Sequence, residues 1–271
     1  MKRSFFGFIK PKLTYSAITD SDALPVSVEA SKEIQLLLDT PMQSTRDLTL
    51  SVGDRVKAGQ RIQVTPDARD YALVSRSGQI TEVKPFLGMM QKQMTAVSIA
   101  VDAEAHQAAD DEFKEISKSP ALESAVQYLQ GLPGKPDFSP FLDPDSLVKA
   151  IVVLGIDQEL LSTTNQYVVK TSIESIKSGI DILRKMTGIQ NVVMAVPEHL
   201  VQVAGAAGAG VKTVDSEYPA AHPELILRHV LADELKGGDT TPQADAAFFS
   251  AEAVSAIGAA FNTGKLPLEK L

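Results

Sequence analysis

Between Pro25 and Val101, apolar and polar positions alternate in short runs closed by turn residues, the period of half-buried strands. Residues 25–28, 47–52, 61–65, 71–75, 79–84 and 95–101 are the predicted strands. In the middle of this stretch the alternation leads into Gly53-Asp54 and resumes after Gly59-Gln60, and the same strand, turn and strand arrangement recurs around Gly78. Later in the chain the period changes. Residues 147–155 form a continuous apolar run, as in a strand buried on both faces, and 163–187 carry Val168, Ile173, Ile176, Ile180, Leu183 and Met186 at helical spacing. Further strands are predicted at 190–196, 211–214 and 244–249, and further helices at 197–207, 222–232 and 251–263. Strand alternating with helix predicts a doubly wound parallel sheet.

Residues 103–119 are acidic and polar, 120–130 read as a short helix, and 131–144 are rich in Pro and Gly. The organisation expected is therefore a small all-β module over 1–104, a linker with a short helix and a Pro/Gly loop over 105–144, and a Rossmann-like α/β domain over 145–271. The two glycine turns of the β module look like the halves of a barrel-sandwich hybrid, the fold of biotinyl and lipoyl carriers. Those carriers present a lysine in a Met-Lys or Asp-Lys pair at a hairpin tip. Here the turn is Arg76-Ser77-Gly78 and Lys57 is an ordinary surface lysine, so the module reads as structural.

A chain of 271 residues, 44% hydrophobic and 22% charged, has room for two modest cores. No window holds the ~20 apolar residues that a bilayer span requires. The basic and apolar start, Met1 to Lys12, is interrupted by Lys10-Pro11 and followed by no small-residue cleavage site, so no signal peptide is expected. The absence of Cys excludes disulfides, thiol nucleophiles and cysteine-ligated iron–sulfur clusters in this segment. A net charge of −8 opposes a nucleic-acid partner. His106, His199, His222 and His229 show no metal-ligand spacing, so no metal is assigned, and there is neither a Walker loop nor a Gly-x-Ser-x-Gly elbow.

In a parallel sheet, ligands gather beyond the carboxyl ends of the strands, which directs attention to the loops at 155–166, 197–199 and 216–222. The first holds Gly155, Asp157, Glu159 and Asn165. Asp157 and Glu159 suit a ribose or ribityl hydroxyl, yet the same residue types also serve as helix caps and loop residues, and both readings stand. Gly131 and Gly134 would offer backbone N–H groups to a phosphate, while Pro133, Pro136 and Pro140 remove donors from that cradle. The glycine-rich run 205–210 falls at a helix end before a strand and reads as a helix stop, and His222 reads as a residue of a helix start.

Taken in order, the motifs resemble one family. Gly53 to Gln60 is similar to its G-D-x-V-x-x-G-Q turn, Ser77 to Ile80 to its S-G-x-I turn, Leu154 to Leu160 to its strand and loop N-G-A-E-C-E-P, and Tyr218-Pro219 to its Y-P motif. The closing stretch 244–271 also matches. The family comprises the C-type subunit of the Rnf electron-transport complex and its sister, the A-type subunit of the sodium-pumping NADH:quinone reductase. The resemblance implies an α/β domain like that of the flavin-binding subunit of respiratory complex I. It further implies a soluble protein, peripheral at the cytoplasmic face of the inner membrane, contributing to electron entry beside other subunits of a membrane redox complex. The alternative it leaves is a noncatalytic assembly module with a decayed flavin or nucleotide site. FMN and NADH are the implied cofactors, weakly bound or lost, because the relatives' G-x-G-G-A-G-F-P-T loop is reduced here to Gly131-Leu-Pro-Gly-Lys-Pro-Asp-Phe-Ser. The acidic pair carries over as Asp157 and Glu159, with Gln158 and Leu160 in place of Cys and Pro. The cofactor-binding set implied is Gly131, Gly134, Gly155, Asp157, Glu159 and Asn165. Relatives continue past the position of Leu271, so the chain is expected to be a fragment or a shortened homologue.

Overall fold

The computed structural model describes residues 13–18, 25–29, 31–42, 44, 48–68, 70–103, 111–143, 148–231 and 246–270. The alternating N-terminal part forms β1 (Glu33–Leu38), β2 (Arg55–Val56), β3 (Arg61–Ile62), β4 (Ala72–Leu73), β5 (Gly78–Leu87) and β6 (Gln93–Val101). Four of these make an antiparallel sheet in the order β1-β6-β5-β2, and β3 pairs with β4. The two glycine turns are tied to the strands they face. Gly53 N–H donates to the Ile80 carbonyl and Ile80 N–H to the Asp54 carbonyl, each at 2.8 Å, while Gly59 N–H reaches the Val74 carbonyl at 2.8 Å. A methyl group on Gly78 would run into the Ala100 carbonyl of β6, which is why the turn needs glycine there. Leu38, Val56, Ile62, Val74, Ile80 and Val97 close the core of this part.

Several predicted strands shift. Residues 25–28 form no strand, since Val26 and Val28 are both exposed with no face to bury. The first strand is instead β1, where Ile34, Leu36 and Leu38 turn inward and pair along β6. Residues 48–52 also form no strand, although Leu50 is buried and Thr49 N–H bonds the Val64 carbonyl; Asp47 lies outside the described residues. The remaining four predicted strands are present, two shortened to β3 and β4 and two lengthened to β5 and β6.

The second part contains β7 (Ala150–Leu154), α3 (Thr164–Thr171), α4 (Ile173–Thr187), β8 (Val192–Val196), α5 (Val201–Ala204), β9 (Gly210–Thr213), α6 (Pro223–His229), β10 (Ala246–Ser250) and α7 (Ala251–Thr263). Its four strands are parallel, in the order β10-β7-β8-β9. Ile151 and Val153 face Ile176, Ile180 and Val254 on one side. Val152 and Leu154 face Ile226 and Leu227 on the other. Alternation within an apolar strand thus buries both faces under helices. The single helix predicted over 163–187 is broken at Ser172 (φ −131°, ψ 32°) into α3 and α4. Thr171 Oγ1 bonds back to the Tyr167 carbonyl at 2.8 Å, local competition that favours a helix end.

The stretch expected as a linker contributes side chains to the core of the second part. It contains α1 (Asp111–Ile116) and α2 (Leu122–Tyr128), and Phe113, Tyr128, Leu129, Leu132 and Phe138 are buried in the same core as Ile176 and Val254. Phe138 lies 5.5 Å from Phe249 of β10, centroid to centroid.

Candidate functional site

β7 is followed by Gly155, where the missing side chain lets Val196 and Val169 close in: a Cβ there would lie 2.7 and 2.8 Å from their methyl groups. This tight end turns the chain into the loop that carries Asp157, which is only 4% exposed. Asp157 Oδ1 accepts from Asn165 N–H at 3.0 Å, Ser162 Oγ at 3.1 Å and Asn165 Nδ2 at 3.2 Å. The carboxylate therefore caps the first turn of α3, where negative charge meets unpaired N–H groups. Its other oxygen, Oδ2, is buried without a hydrogen-bond partner.

Asn165 continues the chain of bonds, its Oδ1 accepting from Glu252 N–H at the start of α7. Ser250, the N-cap of α7, accepts from Ala253 N–H at 3.1 Å and donates to the Gly134 carbonyl at 3.5 Å. Gly134 has φ 74°, and a methyl on it would sit 2.6 Å from Ser250 Oγ and run into the Ala253 N–H. Gly131 faces the other way and donates its N–H to the Tyr71 hydroxyl of the β module at 3.2 Å. Of the residues predicted from sequence, Asn165 and Gly134 meet at the start of α7, and Asp157 is joined to them through Asn165. Gly155 lies just after β7, Gly131 at the contact with the β module, and Glu159 points to solvent.

A larger opening lies at the carboxyl ends of β8 and β9. After β8 the chain turns to the face that holds Ile176, burying Leu200 and Ala204 there, and after β9 it passes to the opposite face, where α6 buries Ile226. Diverging connections leave a crevice between them. Its volume is about 810 Å³, and Ile156, Pro197, Glu198, His199, Thr213 and Asp215 are among the lining residues.

One wall is not foreseen from sequence. Residues 13–18 form a strap across the mouth of the crevice: Tyr15 N–H donates to the Ser216 carbonyl at 2.9 Å and Ser16 N–H to the Leu160 carbonyl at 2.8 Å. The buried side chain of Gln166 binds the strap from both sides, its Nε2 donating to the Ser16 carbonyl at 2.7 Å and its Oε1 accepting from Ile18 N–H at 3.2 Å. The Tyr15 hydroxyl accepts from Ala221 N–H, and burial raises its pKa above the ordinary value. A glutamine amid the apolar positions of α3 is the available signal. Glu198 and Asp215 bring carboxylates to the crevice, and neither Lys nor Arg is among its lining residues, which makes it a poor host for phosphate.

Among the described residues no group of three His, Cys, Asp or Glu side chains is placed to hold a metal, and no helix is long and apolar enough to cross a membrane. Residues 130–266 match the family model of the NqrA second alpha/beta domain, a span that includes Gly131, Gly134, the Asp157 loop and the walls of the crevice other than the strap. No curated protein matches the chain.

Proposed function

The chain belongs to the NqrA family, and we propose that it is an assembly and docking component of a sodium-pumping NADH:quinone reductase, its β module and α/β domain offering surfaces to the other subunits. One observation carries this reading: the groups a flavin phosphate or ribityl chain would need are already engaged inside the protein. The space beside Gly134 is filled by Ser250 and the first turn of α7. Gly131 N–H is bound to Tyr71, and Asp157 Oδ1 and Asn165 hold the helix starts. These engagements argue against FMN at this loop, and the acidic lining of the crevice argues against NADH there. The place of such a component is peripheral, at the cytoplasmic side of the membrane complex, and the match falls on the sodium-pump branch of the resemblance rather than on the Rnf branch.

A second reading, electron entry through a flavin or nucleotide at the loop after β7, is favoured by one feature. Asp157 Oδ2 is a buried acceptor that no donor satisfies, and a ligand hydroxyl would satisfy it. Visible absorbance of the freshly purified protein, followed by titration of FMN and NADH against wild type and the Asp157→Ala, Glu159→Ala double variant, separates the two. The expected result is no flavin spectrum and no measurable affinity. Binding by wild type that the double variant loses would replace the docking reading with electron entry.

A further inference from the structure

The β5–β6 hairpin ends in a tip whose residues run against both of the rules that govern such turns. Met89 and Met90 are 90% and 98% exposed, and Leu87 beside them is 64% exposed. Single exposed apolar residues are ordinary on protein surfaces, but adjacent ones at a projecting tip gain nothing from folding. Met90 (φ 55°, ψ 28°) and Gln91 (φ 61°) are both left-handed, and Lys92 N–H donates to the Met89 carbonyl at 3.2 Å. These are the central residues of a type I′ turn, where Asn-Gly is the low-energy pair and longer side chains are strained. Two independent costs at one turn mark a place where the local sequence serves something other than the fold.

We propose that this tip is a docking finger that inserts Met89 and Met90 into an apolar pocket on another subunit of the reductase. The proposal rests on the docking reading above. A protein pocket rather than a lipid surface is the occupant because the hairpin's lysines are neutralised: Lys84 pairs with Glu82 and Lys92 with Asp39, each at 2.7 Å, and the chain carries a net charge of −8. A loop that binds anionic headgroups needs basic flanks available to them. Methionine's flexible, polarisable side chain also adapts to an irregular protein cavity.

The test introduces Met89→Asp with Met90→Asp, and separately Met90→Asn with Gln91→Gly, into the full gene in its host. The reductase is then purified through a tag on one of its membrane subunits. The second pair supplies the favoured turn residues, so the isolated protein should melt at or above the wild-type temperature while still losing one methionine of the finger. Expected is a fall of at least about tenfold in this chain's share of the complex for the Asp pair, a smaller fall for the Asn-Gly pair, and no change for Val52→Asp, an exposed apolar control. Normal stoichiometry with both paired variants overturns the finger while leaving the docking reading intact, whereas absence of the wild-type chain from the complex overturns that reading and the finger with it. Methionine-dependent flotation of wild type with phosphatidylethanolamine and phosphatidylglycerol vesicles, or methionine-dependent self-association in the ultracentrifuge, would also overturn it in favour of a lipid or a second copy.

Discussion

The guanidinium of Arg61 lies 3.9 Å from the centroid of the Tyr128 ring, and its Nη1 donates to the Gln127 carbonyl at 2.8 Å. Arg61 belongs to β3 and Tyr128 to the end of α2, which is buried with the α/β core, so one side chain joins the two parts of the molecule. Stacking and a carbonyl hydrogen bond together require the planar fork of arginine. Arg61→Ala is expected to lower unfolding free energy by about 1–2 kcal/mol, and Arg61→Lys to recover only part of it. Urea denaturation of the three proteins measures this, and a lysine variant equal to wild type would show that only the charge matters.

Tyr71 stands beside that contact and gives a dependence on pH. Burial pushes its phenol up to about 12, against the opposing pull of Gly131 N–H and Arg61. The neutral phenol is the native form, and tyrosine in the unfolded chain ionises near ~10. The stabilisation is therefore complete below pH ~10 and is lost as pH rises through about 12, by up to roughly 3 kcal/mol. Thermal midpoints between pH 9 and 12 should fall more steeply for wild type than for Tyr71→Phe. Parallel curves would remove Tyr71 from the alkaline transition.

α4 and α7 touch through backbone. A methyl on Gly179 would collide with the Val254 carbonyl, and one on Gly258 with the Ser175 carbonyl. Because both obstacles are main chain, neither can rotate away, and Gly179→Ala or Gly258→Ala should each cost about 2–4 kcal/mol by separating the helices. Chemical denaturation reads this directly, with Gly205→Ala, where nothing lies within 4 Å, as the tolerant comparison.

The acidic pair after β7 should divide by burial. Asp157→Ala leaves Asn165 N–H and Ser162 without their acceptor and is expected to cost about 1–3 kcal/mol. Glu159 is exposed, so Glu159→Ala should stay within about 0.5 kcal/mol of wild type. Equal effects in denaturant would mean that Asp157 is not the cap of α3.

Elements whose signal is local can be read from the chain before any fold is known. β7, β8 and α7 stand where continuous apolar runs and 3.6-residue spacing place them, because burial on both faces of a strand or on one stripe of a helix is written into consecutive residues. β1 is not among the strands predicted from sequence, although Ile34, Leu36 and Leu38 alternate inward, whereas the valines of residues 25–28, a predicted strand, have nothing to pack against. Other features depend on what lies opposite, and there the three-dimensional arrangement is decisive. The acidic surroundings of Phe113 suggest a linker, yet the ring is buried, 6.0 Å from Tyr128 and 5.5 Å from Phe261 far along the chain. The strap at 13–18 is held in part through backbone N–H and carbonyl groups, which every residue possesses, and apart from Gln166 no pattern of side chains announces it. Asp157 is the same carboxylate whether it receives a ribose hydroxyl or a helix N–H, and it is the position of α3 that brings Asn165 to it.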